Sequence, residues 1–170
     1  MTTEMTLSEI DVELQGGATV ADFGLAQAAI NREVASIRLR DSVGEILAGL
    51  PIRYGVCSNL SVDYVTALKM FPEIKPEFSI LSCFSGCMKP DPRIYELVLE
   101  AAGVPASRIL FVGDTPAADI DGPRRAGMRA MHIDDLIAVL TGGGTGGPDA
   151  FTKAFRAARG SISKDLDIES

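Results

Sequence analysis

Asp114 and Asp119 stand five residues apart, just past the apolar run 109–112, in the stretch ILFVGDTPAADIDGPRRAGM. Two acids at one strand end can share a hard cation such as Mg²⁺, which takes oxygen ligands and keeps several waters. Ligands of open α/β sheets bind beyond the carboxyl ends of the strands, and these acids have that placement. The same pair also suits a plain helix start, with Asp114 as cap and Asp119 as a first-turn acid. Ser58 follows a second apolar run, IRYGVC, so its hydroxyl and the free N–H groups nearby could hold an anion, with Asn59 beside it. Ser58 could equally cap the helix that starts near Ser61. Lys89 lies between a glycine-containing loop and a proline, which can present its ammonium as a point charge; the alternative is a solvated surface lysine. Thr115 can add a hydroxyl near the acids. Cys57, Cys83 and Cys87 are too few for a disulfide framework and read as buried small hydrophobes. The lone His132 cannot build a metal cluster and reads as structural.

The elements that must position these residues alternate between helix and strand. Phe23, Ala26, Ile30, Val34 and Ile37 recur at helical spacing, so a helix is expected after Thr19. A second helix is expected from Asp41 to about Gly49, with Asp41 as its cap. Ile52 to Cys57 reads as a strand, LSVDYVTALKMF as a helix and FSILSCF as another strand before the loop SGCMKPDP. Asp91-Pro92 opens the next helix with a cap and a first-position proline, and Gly103 closes it. The run 109–112 is a short buried strand, MRAMHI a further strand and DDLIAVL a further helix. The run 142–147 is a glycine linker that neither follows a strand nor opens a phosphate-binding helix; a short helix around Phe151 to Arg159 and a polar tail come after it. Alternation of this kind implies right-handed crossovers and a parallel sheet.

At 170 residues the chain suits one domain. A net charge of −7, with no basic stripe, argues against nucleic acid as a partner. No apolar run approaches the ~20 residues that span a bilayer. The acidic start MTTEMTLSEIDVEL lacks the basic and apolar regions of a signal peptide, so a cytoplasmic protein is expected.

Three strings in fixed order give the chain its resemblance to the haloacid dehalogenase-like (HAD) superfamily, whose members are mostly Mg²⁺-dependent phosphatases, with some dehalogenases and phosphomutases. Residues 57–59 (CSN) match the family motif whose hydroxyl holds a phosphoryl oxygen. KPDPRIY, from Lys89, matches the motif whose lysine neutralises phosphate and nucleophile. GDTPAAD, from Gly113, matches the motif whose two acids hold magnesium. The resemblance covers about residues 41–141 and implies a Rossmann-like parallel sheet with helices on both faces. It also implies catalytic Lys89 and Ser58, substrate contacts from Ser58, Asn59 and Lys89, and a Mg²⁺ site at Asp114 and Asp119. The implied partner is a small phosphorylated molecule. Residues 1–40 then form an N-terminal segment with part of a helical cap, 41–141 the core, and 142–170 the linker and tail.

The family's first motif, a hydrophobic strand ending in Asp-x-Asp, has no good match before Ser58. In the family its first acid attacks phosphorus and its second is the general acid and base. The nearest string is Asp11-Val12-Glu13, whose alternating pattern is wrong for a central parallel strand. That strand lies in mid-sheet in the family, so its loss leaves two facing edges whose N–H and C=O groups need partners. Direct pairing of IRYGVC with ILFVG, insertion of the N-terminal segment, or a strand from another chain (a homo-oligomer among the options) would each repair it. The expectation is a HAD-like hydrolase that is inactive or truncated as written, or else a non-catalytic HAD-fold binding or assembly protein.

Overall fold

The computed structural model describes residues 20–40, 42–141 and 148–160. Helix α1 (Val20–Ser36) is exposed from Gly24 onward except along one stripe, where Ala26 and Ile30 are half-buried and Val34 is buried, as their spacing predicts. Helix α2 (Val43–Gly49) is entered through Ser42, in the left-handed region at φ 68°; the expected cap, Asp41, lies outside the described residues. Strand β1 (Val56–Ser58) pairs in parallel with β2 (Ser79–Leu81), and a 3₁₀ turn (Val62–Tyr64) with helix α3 (Val65–Lys69) lies on the crossover between them. The chain then runs through a single helical turn, α4 (Ser82–Ser85), and helix α5 (Pro92–Ala102). After a 3₁₀ turn (Ala106–Arg108), strand β3 (Leu110–Gly113) leads into one π-helical turn (Pro116–Asp121) and the short helix α6 (Gly122–Arg125). Strand β4 (Arg129–His132) pairs in parallel with β3, followed by helices α7 (Ile133–Thr141) and α8 (Pro148–Gly160).

Local chemistry accounts for most of these boundaries. Asp91 accepts a hydrogen bond from the Arg93 N–H at the head of α5, Pro92 takes the first turn, and Gly103 ends the helix at φ 62°. Ile52 to Gly55, expected as strand, lie outside β1, although Tyr54 O still accepts from Glu77 N at 2.9 Å. β2 is likewise shorter than FSILSCF: Ser82 leaves the strand, and its hydroxyl accepts from Leu60 N and donates to Leu60 O, joining the two strand ends.

The parallel α/β character stands, but among the described residues the strands form two separate pairs, β1–β2 and β3–β4. β1 and β3 do not pair with each other, which rules out the first of the three repairs. The Asp11 segment and the glycine run 142–147 lie outside the described residues. Alternation along β3 and β4 divides the core. Phe111 and Ala130 face α5, packing with Ile94, Tyr95, Val98 and Met128, while Val112 and Met131 meet Leu136 and Leu140 of α7 and Ala154 of α8. Helices therefore cover both faces of the β3–β4 pair. Arg129 ties α8 down, its guanidinium 3.9 Å from the Phe155 ring centroid and bonded to Phe155 O. Among the described residues no helix is long and apolar enough to cross a membrane.

Candidate functional site

Lys89, Ser58, Asn59, Asp114 and Asp119 all fall at or just beyond the carboxyl ends of β1 and β3 or on the loop between β2 and α5. In a parallel ladder alternate residues turn their N–H and C=O toward the neighbouring strand. Val56 N bonds to Phe78 O on the β2 side, so Cys57 turns its carbonyl to the opposite, unpaired edge of β1. The Lys89 ammonium meets it there: Nζ donates to Cys57 O at 3.0 Å and to Asp119 Oδ1 at 2.6 Å, 5.5 Å from the Phe111 ring centroid. One lysine therefore spans from the open edge of one strand pair to the loop after the other. The alternative of a solvated surface lysine fails, since the side chains of Lys89 and Asp119 are only 11% and 7% exposed.

Asp119 is fully engaged. Its Oδ1 takes Lys89, and its Oδ2 accepts from the backbone N–H groups of Asp114 at 3.2 Å and Thr115 at 3.0 Å. This closure needs Gly113, because a Cβ there would come within 2.4 Å of the Asp119 carboxyl carbon. The π-helical turn that carries Asp119 is held from behind, where Tyr95 donates to Ala118 O at 2.6 Å. Gly122 makes room for that phenol, since a Cβ would fall 2.1 Å from its oxygen.

Asn59 works on the backbone of the lysine loop. Its Oδ1 accepts from Lys89 N and its Nδ2 donates to Lys89 O, both at 2.8 Å, just before the cis Lys89–Pro90 peptide. One Nδ2 hydrogen is left for another acceptor. Ser58 ends β1 half-buried, and no hydrogen bond to its hydroxyl is found among the described residues. Burial pushes the Cys57 thiol up to about 11, against the opposing pull of Lys89, so it is protonated at neutral pH and is no nucleophile. Cys87 is buried and Cys57 and Cys83 are half-buried, with no disulfide joining them.

Asp114 is a different kind of acid, with its side chain 57% exposed. The Thr115 hydroxyl lies 3.4 Å from its Oδ1, and Arg40 Nη2 pairs with its Oδ2 at 3.0 Å while Arg40 Nη1 pairs with Asp134 at 2.8 Å. Arg40 is absent from the sequence-derived site, because nothing local marks a residue 74 positions from its partner. His132, at the end of β4, accepts from Asp134 N at 3.2 Å. Among the described residues no three His, Cys, Asp or Glu side chains converge as a metal cage. Magnesium does not need one, since it keeps several waters and takes one or two carboxylates. The exposed Asp114 is a carboxylate that fits such an ion, whereas both oxygens of Asp119 are already engaged.

A family model for haloacid dehalogenase-like hydrolases matches residues 4–127. The chain is 45% identical over 49 residues to a phosphoserine phosphatase of Thermus thermophilus, a stretch covering 29% of this chain and 20% of that protein. It is 28% identical over 130 residues to a phospholysine phosphohistidine inorganic pyrophosphate phosphatase of Mus musculus, covering 74% and 45% respectively. It thus spans less than half the length of these curated relatives. Among solved structures, a HAD family enzyme of Bacteroides thetaiotaomicron in complex with magnesium and inorganic phosphate superposes with a TM-score of 0.57 at 16% identity, over 74% of this chain and 66% of that one. An L-2-haloacid dehalogenase of Xanthobacter autotrophicus gives 0.53 at 24% identity, over 84% and 59%.

Proposed function

The chain belongs to the haloacid dehalogenase-like hydrolase family, and from that premise we propose that its strand ends form a phosphatase-type site for a small phosphorylated metabolite. The observation that carries the reading is the buried pair of Lys89 and Asp119, 2.6 Å apart beside an exposed Asp114. Asp119 fixes the ammonium in one place, and the charge of Lys89 attracts and neutralises a phosphoryl group there. Ser58 offers its hydroxyl to a phosphoryl oxygen, and Asn59 offers its remaining N–H. Asn59 also holds the lysine loop in register through its two bonds to the Lys89 backbone. Of the two acids, Asp114 is the one that would hold Mg²⁺, while Asp119 is engaged by Lys89 and two backbone N–H groups. When bound, that ion would supply positive charge to the phosphoryl oxygens. A cytoplasmic setting accords with three cysteines that form no disulfide with one another.

A second reading, binding without turnover, has its own support. A covalent mechanism needs a carboxylate free to attack phosphorus. At the described strand ends both acids are spoken for, Asp119 by Lys89 and two backbone N–H groups and Asp114 by Arg40. Hydrolysis of a generic aryl phosphate in Mg²⁺, run beside isothermal titration with inorganic phosphate, separates the two. Turnover that disappears in Asp114→Asn supports the phosphatase. Phosphate binding that weakens in Lys89→Met without any turnover supports the binding protein. Failure to bind or hydrolyse phosphate compounds rejects both.

A further inference from the structure

The geometry points to Arg40 as a built-in cationic plug, one that occupies the candidate metal ligand Asp114 until a divalent cation displaces it. The inference rests on the reading of Asp114 as a cation ligand and adds a competitor to it. Arg40 lies in the segment that follows α1, yet its guanidinium reaches the far ends of β3 and β4. The fork is split between two acids: Nη2 takes Asp114 Oδ2 at 3.0 Å and Nη1 takes Asp134 Oδ1 at 2.8 Å.

The two contacts are not equivalent. Asp134 lies in the first turn of α7, where the helix dipole favours a carboxylate with or without a partner. Asp114 stands in the loop after β3, with the Thr115 hydroxyl 3.4 Å away on its other oxygen. A divalent ion on Asp114 would meet the guanidinium as a like charge a few ångströms away, so the two cannot share Oδ2. Arg40 can yield Asp114 and remain anchored on Asp134. All three side chains are at least half exposed, so the exchange opens no buried surface. Asp119 has no such competitor to shed: its oxygens are closed by a buried lysine and two backbone N–H groups. Access of a cation to this end of the sheet is therefore set by Arg40.

Titration with Mn²⁺, followed by the electron paramagnetic resonance of the free ion, tests this in the wild type, Arg40→Gln and Asp114→Asn. Arg40→Gln is expected to bind about two- to fivefold more tightly than the wild type, the range an exposed ion pair supports. Asp114→Asn is expected to lose the site. Equal or weaker binding by Arg40→Gln, with binding still lost in Asp114→Asn, overturns the plug and leaves Asp114 as a ligand. Wild-type affinity in Asp114→Asn, or no binding by any of the three proteins, overturns the ligand reading and the plug together. Arg40 is on the surface, so folding of the variant, checked by circular dichroism, is expected to be unchanged.

Discussion

Water hardly reaches the Lys89 ammonium, which is tolerable because it donates hydrogen bonds to Cys57 O and Asp119. Removing one partner of such a pair strands the other. Lys89→Met is expected to lower stability by about 3–5 kcal/mol in urea denaturation. Adding Asp119→Asn to it should recover part of that loss, because no uncompensated carboxylate remains; a double variant less stable than Lys89→Met would reject the account. The half-buried Cys57 thiol and the buried Tyr95 phenol give the protein an alkaline limit. Burial raises the Cys57 thiol from 9.0 to about 11 and the Tyr95 phenol from 10.0 to about 12. The folded protein thus keeps protons that the unfolded chain releases, and the associated stability is complete below about pH 9 and is lost as pH rises through the folded values. Cys57→Ala is expected to flatten the first part of that decline, between about pH 9 and 10, and to leave the later, tyrosine part. Denaturation midpoints across that range measure it.

At the scale of elements, the site depends on how the lysine loop is joined to β1. Asn59 does this with two 2.8 Å hydrogen bonds, so Asn59→Ala is expected to cost about 1–3 kcal/mol. Amide exchange should place the damage: Lys89 N–H speeds up while Arg129 N–H, bonded to Ile109 O, keeps its rate. Equal acceleration of both would mean that the whole domain has loosened. The sequence exposes the start of α5 plainly, because Asp-Pro and a closing glycine act through local backbone chemistry. The short strand β3, in which Phe111 is buried, is visible for a similar reason, as an apolar run closed by a glycine and followed by an acid. The strands β1 and β2 are shorter than their apolar runs because Gly55 and Ser82 serve contacts made across the fold, with the Phe78 ring and with Leu60. The motifs locate Lys89 and Asp119, whereas their direct pairing emerges only when the loop after β2 reaches the end of β3. Arg40 was beyond reach for the same reason in stronger form, since both its partners lie more than seventy residues away.

At the scale of the whole molecule, the two strand pairs share no ladder among the described residues, so there they are joined by packing and side-chain contacts. A two-stranded unit is marginal by itself and needs packing. Helix α5 provides it: Ile94, Tyr95 and Val98 are buried in one cluster with Phe111 and Ala130 of the second pair, and Cys57 and Ile80 of the first pack against that cluster. The Tyr95 ring meets Phe111 edge-on at 5.9 Å, while its hydroxyl holds the turn that carries Asp119. The same helix therefore joins the halves and braces the site. Ile94, wholly buried, is the position where this can be tried. Ile94→Ala is expected to cost about 2–5 kcal/mol, the range for a cavity in a packed core. If α5 is the common support, the loss appears as one shifted transition, with far-ultraviolet circular dichroism and tyrosine fluorescence still coincident. Should the β1–β2 half melt ahead of the β3–β4 half instead, the two pairs would be separately stable units, and the Lys89–Asp119 pair would be the link that matters between them.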